Sequence, residues 1–294
     1  MKAYLLSVNP QADVTVYPLH APKGKTDMIR IKIPGTRGKS KGMDAPTIGL
    51  LGRLGGLGAR PEVTGFVSDG DGALAALSAA AKLLDMQKNG DYLEGDVIIS
   101  THICPDAPTR PHEPVPFMDS PVEMAQVNAE EVSDELDAIV SVDTTKGNRI
   151  INHRGIAVSN TVKEGYILRC SEDLLNIMER VTGRLPQVFS LMVQFAIVTV
   201  QYANNLYHLN SILQPCTATA APTVGLAIVT ESAVAGCATG TTQFADVEAA
   251  ARFLVEMAKD FGRGVCSFYD KEEYAELLRR YGSLAHLQTT GCEN

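Results

Sequence analysis

The side chains in this 294-residue chain that could do chemistry gather in a few short stretches. Asp69 and Asp71 stand in "SDGDG", His102 and Asp106 in "STHICPD", His112 and Glu113 in "TRPHEP", Asp143 in "SVDTTKG" and Glu164 in "VKEGY". Asn205 and His208 share the polar run "NNLYHLN". Carboxylates and imidazoles carried on separate rigid elements can ligate a divalent metal or exchange protons with a substrate. One aspartate before a helix is explained by N-capping; two, freed by flanking glycines, are one more than a cap needs. Cys104 follows His102 at a spacing that, on an extended strand, puts both side chains on one face, so a thiol–imidazole pair is a rival chemistry.

The elements that must position these groups alternate between strand-like and helix-like runs, which predicts an α/β fold with helices on the faces of a sheet. Short strands are expected at 14–18 and 28–33 around a basic loop, then at 47–51 and 63–67. Buried strands follow at 96–101, 138–142 and 221–229, each a continuous apolar or β-branched run. Helices are expected at 73–86, 171–182, 246–261 and 271–281, the first made almost wholly of Ala and Leu and therefore buried on most of its surface. In open α/β sheets ligands collect beyond the carboxyl ends of strands. Asp69 and Asp71 follow the 63–67 strand, His102 and Asp106 the 96–101 strand, and Asp143 the 138–142 strand.

Other function classes fit poorly. The glycines after "PTIGLLGRLGGLGARP" begin a dinucleotide pattern, but Pro61 stands where its third glycine belongs, and no Gly-Lys-Ser/Thr follows. Asp69 and Asp71 at the start of the helix would repel a phosphate. A net charge of −8 argues against a polyanion partner. No run of about twenty apolar residues suggests a membrane span, and the N-terminus lacks the apolar stretch of a signal peptide. Six cysteines without a C-x-x-C pair are expected as reduced thiols in a cytoplasmic protein.

Several of these motifs carry resemblances. "SDGDGALAALSAAAKLL", "VSVDTTKG" and "APTVGLAIV…TGTTQFADVEAAARFLVEMAKDF" resemble motifs of the zinc-dependent aminopeptidases of the phosphorylase/hydrolase-like fold, over about residues 46–262. That resemblance implies a three-layer α/β sandwich with a mixed central sheet, with Asp69 or Asp71 as a bridging metal ligand and Asp143 as another. Where those enzymes carry a ligand histidine and its partner aspartate, this chain has Arg53 and Gly55 in "LLGRLGG". Arg53 offers either a bidentate fork to a substrate carboxylate or an ion-pair partner to Asp69 or Asp71. At closer range "SDGDGA", "ISTHICPDAPTRPHEP", "SVDTTKGN", "TVKEGYIL", "YHLNSI" and "CATG" resemble the uncharacterised prokaryotic family known as domain of unknown function 1177, nearly end to end.

Together these readings predict one α/β domain over 1–294, with N-terminal strands and a basic loop at 1–45, a core at 46–262 and a C-terminal helix and tail at 263–294. The expected activity is hydrolysis of an amide or peptide-like small molecule. Asp69, Asp71, His102, Asp106, His112 and Asp143 would hold a divalent metal, zinc or manganese. Glu164 and Glu113 are candidate bases, and Arg53, His208 and Asn205 candidate substrate contacts. A homo-oligomer is expected, without nucleic-acid or membrane partners. The alternatives are a metal-free binding protein or inactive homologue with Arg53 in the former metal position, and a cysteine hydrolase using Cys104 and His102.

Overall fold

The computed structural model describes residues 1–53, 68–104, 108–111, 117–118, 120–145, 147, 151–189, 211–231 and 242–288. The expected strand at 63–67 lies outside them. Helix α1 (Lys2–Val8) precedes a long hairpin, β1 (Asp13–Ala21) and β2 (Gly24–Ile33). Strand β3 (Ile48–Gly52), helix α2 (Asp71–Lys88) and strand β4 (Val97–Ile103) follow, then the two-residue strands β5 (Thr109–Arg110) and β6 (Phe117–Met118). Helix α3 (Met124–Glu131) leads into β7 (Ala138–Thr145), β8 (Gly155–Val158), β9 (Val162–Lys163) and β10 (Tyr166–Ile167). The chain closes with α4 (Glu172–Thr182), β11 (Thr223–Val229), α5 (Phe244–Gly262) and α6 (Lys271–Tyr281).

Among the described residues, nine strands make one mixed sheet in the order β1-β2-β4-β3-β7-β11-β9-β10, with β8 also paired to β11. Its centre, β4-β3-β7-β11, is parallel. Strand β2 joins β4 antiparallel, and β8 and β9 join β11 antiparallel. The central strands are buried along nearly their whole length, which is why each carries an apolar stretch.

One face of the sheet carries the main core, where α1, α2, α4 and α5 pack on side chains such as Leu50, Ile99, Val140 and Leu226. Helix α2 buries eleven of its eighteen residues, as its Ala and Leu composition predicts. Helix α4 has Ser171 as N-cap, accepting from the Leu174 amide, and the left-handed Gly183 as C-cap. The other face is covered by α3 and by a 3-10 segment, Ser211–Thr217, over smaller clusters.

The basic segment differs from a loose loop. Lys25, Arg30 and Lys32 lie in β2, which turns back directly from β1 with Ala21 opposite Gly24. Lys32 meets Glu135 at 2.9 Å, Arg37 meets Asp44 at 2.8 Å, and Lys39 meets Asp137 at 2.7 Å, so these cations answer acids of this chain. No described helix is long and apolar enough to cross a membrane.

Candidate functional site

Strand register assembles the site. Leu51 lies opposite Ser100 on one side and Ser141 on the other, so two residues further along Arg53 stands level with His102 and Asp143. The Arg53 amide continues the ladder by donating to the Val142 carbonyl at 2.8 Å. Side chains alternate between faces, so all of these belong to the face beneath α3. Along that face the strands change character. Ile98, Leu51 and Ile139 form an apolar cluster, Ser100 and Ser141 follow, and the row His102, Arg53, Asp143 closes the carboxyl ends.

Arg53 is 1% exposed and its nitrogens are met by the protein itself. Nη1 lies 2.9 Å from Glu131 Oε2, Nη2 donates to Asn128 Oδ1 at 2.8 Å, and Nε donates to Ser141 Oγ at 3.4 Å. Its ion pair is therefore with Glu131, not with Asp69 or Asp71. Nη1 makes that ion pair without a hydrogen bond, and at 1% exposure the guanidinium has little surface to offer the expected substrate carboxylate. Burial pushes the Glu131 carboxyl up to about 7 against the opposing pull of Arg53. The same burial, with the Arg53 charge beside it, pushes His102 down to about 4, so the ring is neutral at physiological pH. Its Nδ1 shares a 3.1 Å hydrogen bond with Thr26 Oγ1, and Nε2 has no hydrogen-bond partner among the described residues.

Asp143 is buried beside the start of α2. The Thr144 hydroxyl donates to the Ser68 carbonyl at 2.6 Å, which ties the residue after Asp143 to the residue before Asp69. Gly72, in the first turn of α2, leaves no room for a side chain, since a Cβ there would lie 3.0 Å from the Asp143 Cα and would strike the Val142 carbonyl oxygen. Burial, and then the charge of Asp69, push the Asp143 carboxyl up to about 8, while the Thr144 amide, donating to it at 2.7 Å, pulls the other way. Asp71 accepts from the Thr242 hydroxyl at 2.7 Å. The N-cap of α2 is Gly70, so neither aspartate takes the capping position.

Of the six expected metal ligands, Asp69, Asp71, His102 and Asp143 lie among the described residues. His102 and Asp143 lie on strands separated by β3, about 10 Å apart at the usual strand spacing. The Arg53 cation stands between them, and among the described residues no three His, Cys, Asp or Glu side chains gather to hold a metal. Asp106, His112, Glu113, Asn205 and His208 lie outside the described residues.

Two further expectations are corrected. Glu164 follows β9, which runs antiparallel to β11 with Val162 opposite Thr223, the first residue of β11. It therefore sits at the amino end of the parallel strands, opposite the Asp143 row. There it accepts from the Tyr274 hydroxyl at 2.6 Å and pairs with Lys163 at 3.1 Å, and the Tyr274 bond holds its carboxyl below the usual range. This is a fastening for α6, not a base for the site. The Cys104 thiol is directed at the Lys25 carbonyl, 3.5 Å away, while the His102 ring is directed at Thr26, so the expected thiol–imidazole pairing is not formed.

Glu131 and Asn128 are the partners that sequence reasoning missed. Met124, Val127, Asn128 and Glu131 follow the i, i+3, i+4, i+7 spacing of one helix face. The spacing is a usable signal, but two of the four positions are polar, so no apolar stripe announces the helix.

These features define an α/β protein with a buried row of acid, base and guanidinium groups at the carboxyl ends of its parallel strands. The chain belongs to the family described as protein of unknown function (DUF1177), which matches residues 18–291. A comparison with curated proteins finds no match. Among solved structures the chain is similar to the crystal structure of Acidobacteriales bacterium glutaminyl cyclase, with a TM-score of 0.49 and 13% identity, covering 90% of this chain and 85% of that one.

Proposed function

We propose that this chain hydrolyses an amide bond of a peptide-like small molecule, with Asp69 and Asp143 as its acid–base pair and no metal between His102 and Asp143. The observation that carries this reading is the burial of two carboxylates, Asp69 and Asp143, on neighbouring segments joined by the Thr144–Ser68 hydrogen bond, where a parallel sheet presents its carboxyl ends. Two buried carboxylates in electrostatic contact do not both ionise, so the pair holds one proton, as in hydrolases that work with a carboxylate dyad. In this scheme the ionised member, Asp69, takes a proton from water as the water oxygen bonds to the amide carbon. Asp143 gives its proton to the departing nitrogen as the C–N bond breaks. Arg53 and Glu131 hold α3 over the row. The element order and motif resemblance support an aminopeptidase-like three-layer architecture in which Arg53 replaces a ligand histidine. A small-molecule substrate, a cytoplasmic location and a homo-oligomer, without nucleic-acid or membrane partners, belong to the same proposal.

The test is amine release from a panel of N-acyl amino acids and dipeptides, together with metal content by mass spectrometry. Turnover is expected to survive chelators, and Asp69→Asn and Asp143→Asn are each expected to lower kcat by roughly 100-fold or more. Because Asp143 must carry its proton, wild-type kcat is expected to fall as pH rises through about 8, where that carboxyl ionises. Stoichiometric zinc or manganese, loss of turnover on chelation, or no turnover across the panel would overturn the proposal. A chain that binds panel members without cleaving them is the metal-free binding protein instead.

A further inference from the structure

A second polar group lies at the same end of the sheet. Strand β8 runs antiparallel to β11 with Gly155 opposite Val229, so Arg154, just before β8, stands beyond the carboxyl end of β11. Its Nε lies 3.6 Å from Asp246 Oδ2, and its side chain is 56% exposed. Asp246 is in the first turn of α5 and is 6% exposed. It comes four residues after Thr242, whose hydroxyl holds Asp71. Arg184, next to the left-handed Gly183 that ends α4, acts by its charge on the same Asp246. Among the described residues one carboxylate faces two guanidinium groups, and both arginines reach solvent. Leu185, next to Arg184 in sequence and 79% exposed, and Phe244, two residues before Asp246 and 78% exposed, are the two most exposed large apolar side chains among the described residues.

We infer that Arg154 and Arg184 bind a carboxylate of the substrate, with Leu185 and Phe244 contacting an apolar group beside it. The substrate class is then an N-acylated amino acid with a free carboxylate and an apolar side chain, the chemistry that a peptide C-terminus also presents. A guanidinium matches a carboxylate in a bidentate fork, and exposed apolar side chains gain by covering one another. This inference rests on the hydrolase reading for the bond that is broken, and on its own residues for what is bound.

The experiment titrates N-acetylphenylalanine and its C-terminal amide into the full chain and into the Asp143→Asn variant by calorimetry. The acid is expected to bind about tenfold more tightly than the amide in both proteins, and Arg154→Gln and Arg184→Gln are each expected to remove most of that preference. Equal affinities, binding of neither compound, or Arg variants that keep the preference would overturn the inference. Discrimination without turnover of the acid by the wild type sinks the hydrolase reading and leaves the carboxylate site standing. Turnover without discrimination does the reverse.

Discussion

At the scale of single residues, the Arg53–Glu131 pair decides what the site is. Both groups are at or near zero exposure, so neither charge is tolerable without the other. Arg53→Met is expected to cost about 3–5 kcal/mol in urea unfolding at pH 8, because Glu131 loses its counter-charge in an apolar setting and must take up a proton or stay unpaired. Glu131 is already raised to about 7 with Arg53 present, and losing that cation raises it further. A carboxyl raised in the folded state favours folding at low pH and loses that contribution as pH rises through its folded value. The variant's deficit is therefore expected to shrink toward pH 5, and Arg53→Met with Glu131→Leu to regain most of the loss. An equal deficit at both pH values would show that lost packing, not charge, is responsible. Asp69, Asp143, His102 and Arg53 were legible in the sequence because each stands in a glycine-flanked or strand-ending motif. Glu131 was not, since the paired acids Glu130 and Glu131 in "NAEEV" look like a solvated helix face until the partner of Glu131 is known.

At the scale of elements, the site depends on how closely the start of α2 approaches β7. Alanine in place of a helical glycine ordinarily stabilises by up to about 1 kcal/mol. At Gly72 the sign is expected to reverse, since a Cβ would press on the Asp143 Cα, the Val142 carbonyl and the Arg53 carbonyl. Gly72→Ala should lower the melting temperature and reduce turnover more than the stability loss explains, as the Asp69–Asp143 spacing opens. A variant as active and stable as the wild type would show that α2 has slack at this point. The long elements were legible because composition and periodicity agree over many residues. Strands β3 and β11 are mostly apolar, β4 and β7 open on apolar runs, and α6 follows its amphipathic pattern to the residue. Strands β8, β9 and β10, two to four residues each, were not, since so short a segment has no period to read. They are set by pairing with β11 and with each other, which is tertiary information.

At the scale of the whole molecule, the divisions suggested by the sequence at 45–46 and 262–263 are places of close contact. A Cβ on Gly95 would strike the Pro46 carbonyl and lie 2.9 Å from the Gly262 Cα, so the entry to β3, the turn before β4 and the end of α5 are packed into one another. The main core draws on side chains from Leu5 to Phe268, and the N-terminal hairpin continues the same sheet through β2 and β4. Helix α6 is the exception, packing on a separate cluster of Tyr166, Leu168 and Tyr274. It is nonetheless bound to the sheet by the Tyr166 hydroxyl, which donates to the Gly282 carbonyl at 2.5 Å, and by Arg169 pairing with Asp270 at 2.9 Å and Glu273 at 3.0 Å. A structure joined in this way is expected to unfold in one transition. The chain has no tryptophan, so its nine tyrosines report tertiary structure, and three of them, Tyr166, Tyr269 and Tyr274, pack edge to face at the α6 junction. Tyrosine fluorescence and far-UV circular dichroism should therefore give the same urea midpoint. An earlier fluorescence midpoint would mean that α6 leaves first and that the C-terminal segment is a separate folding unit.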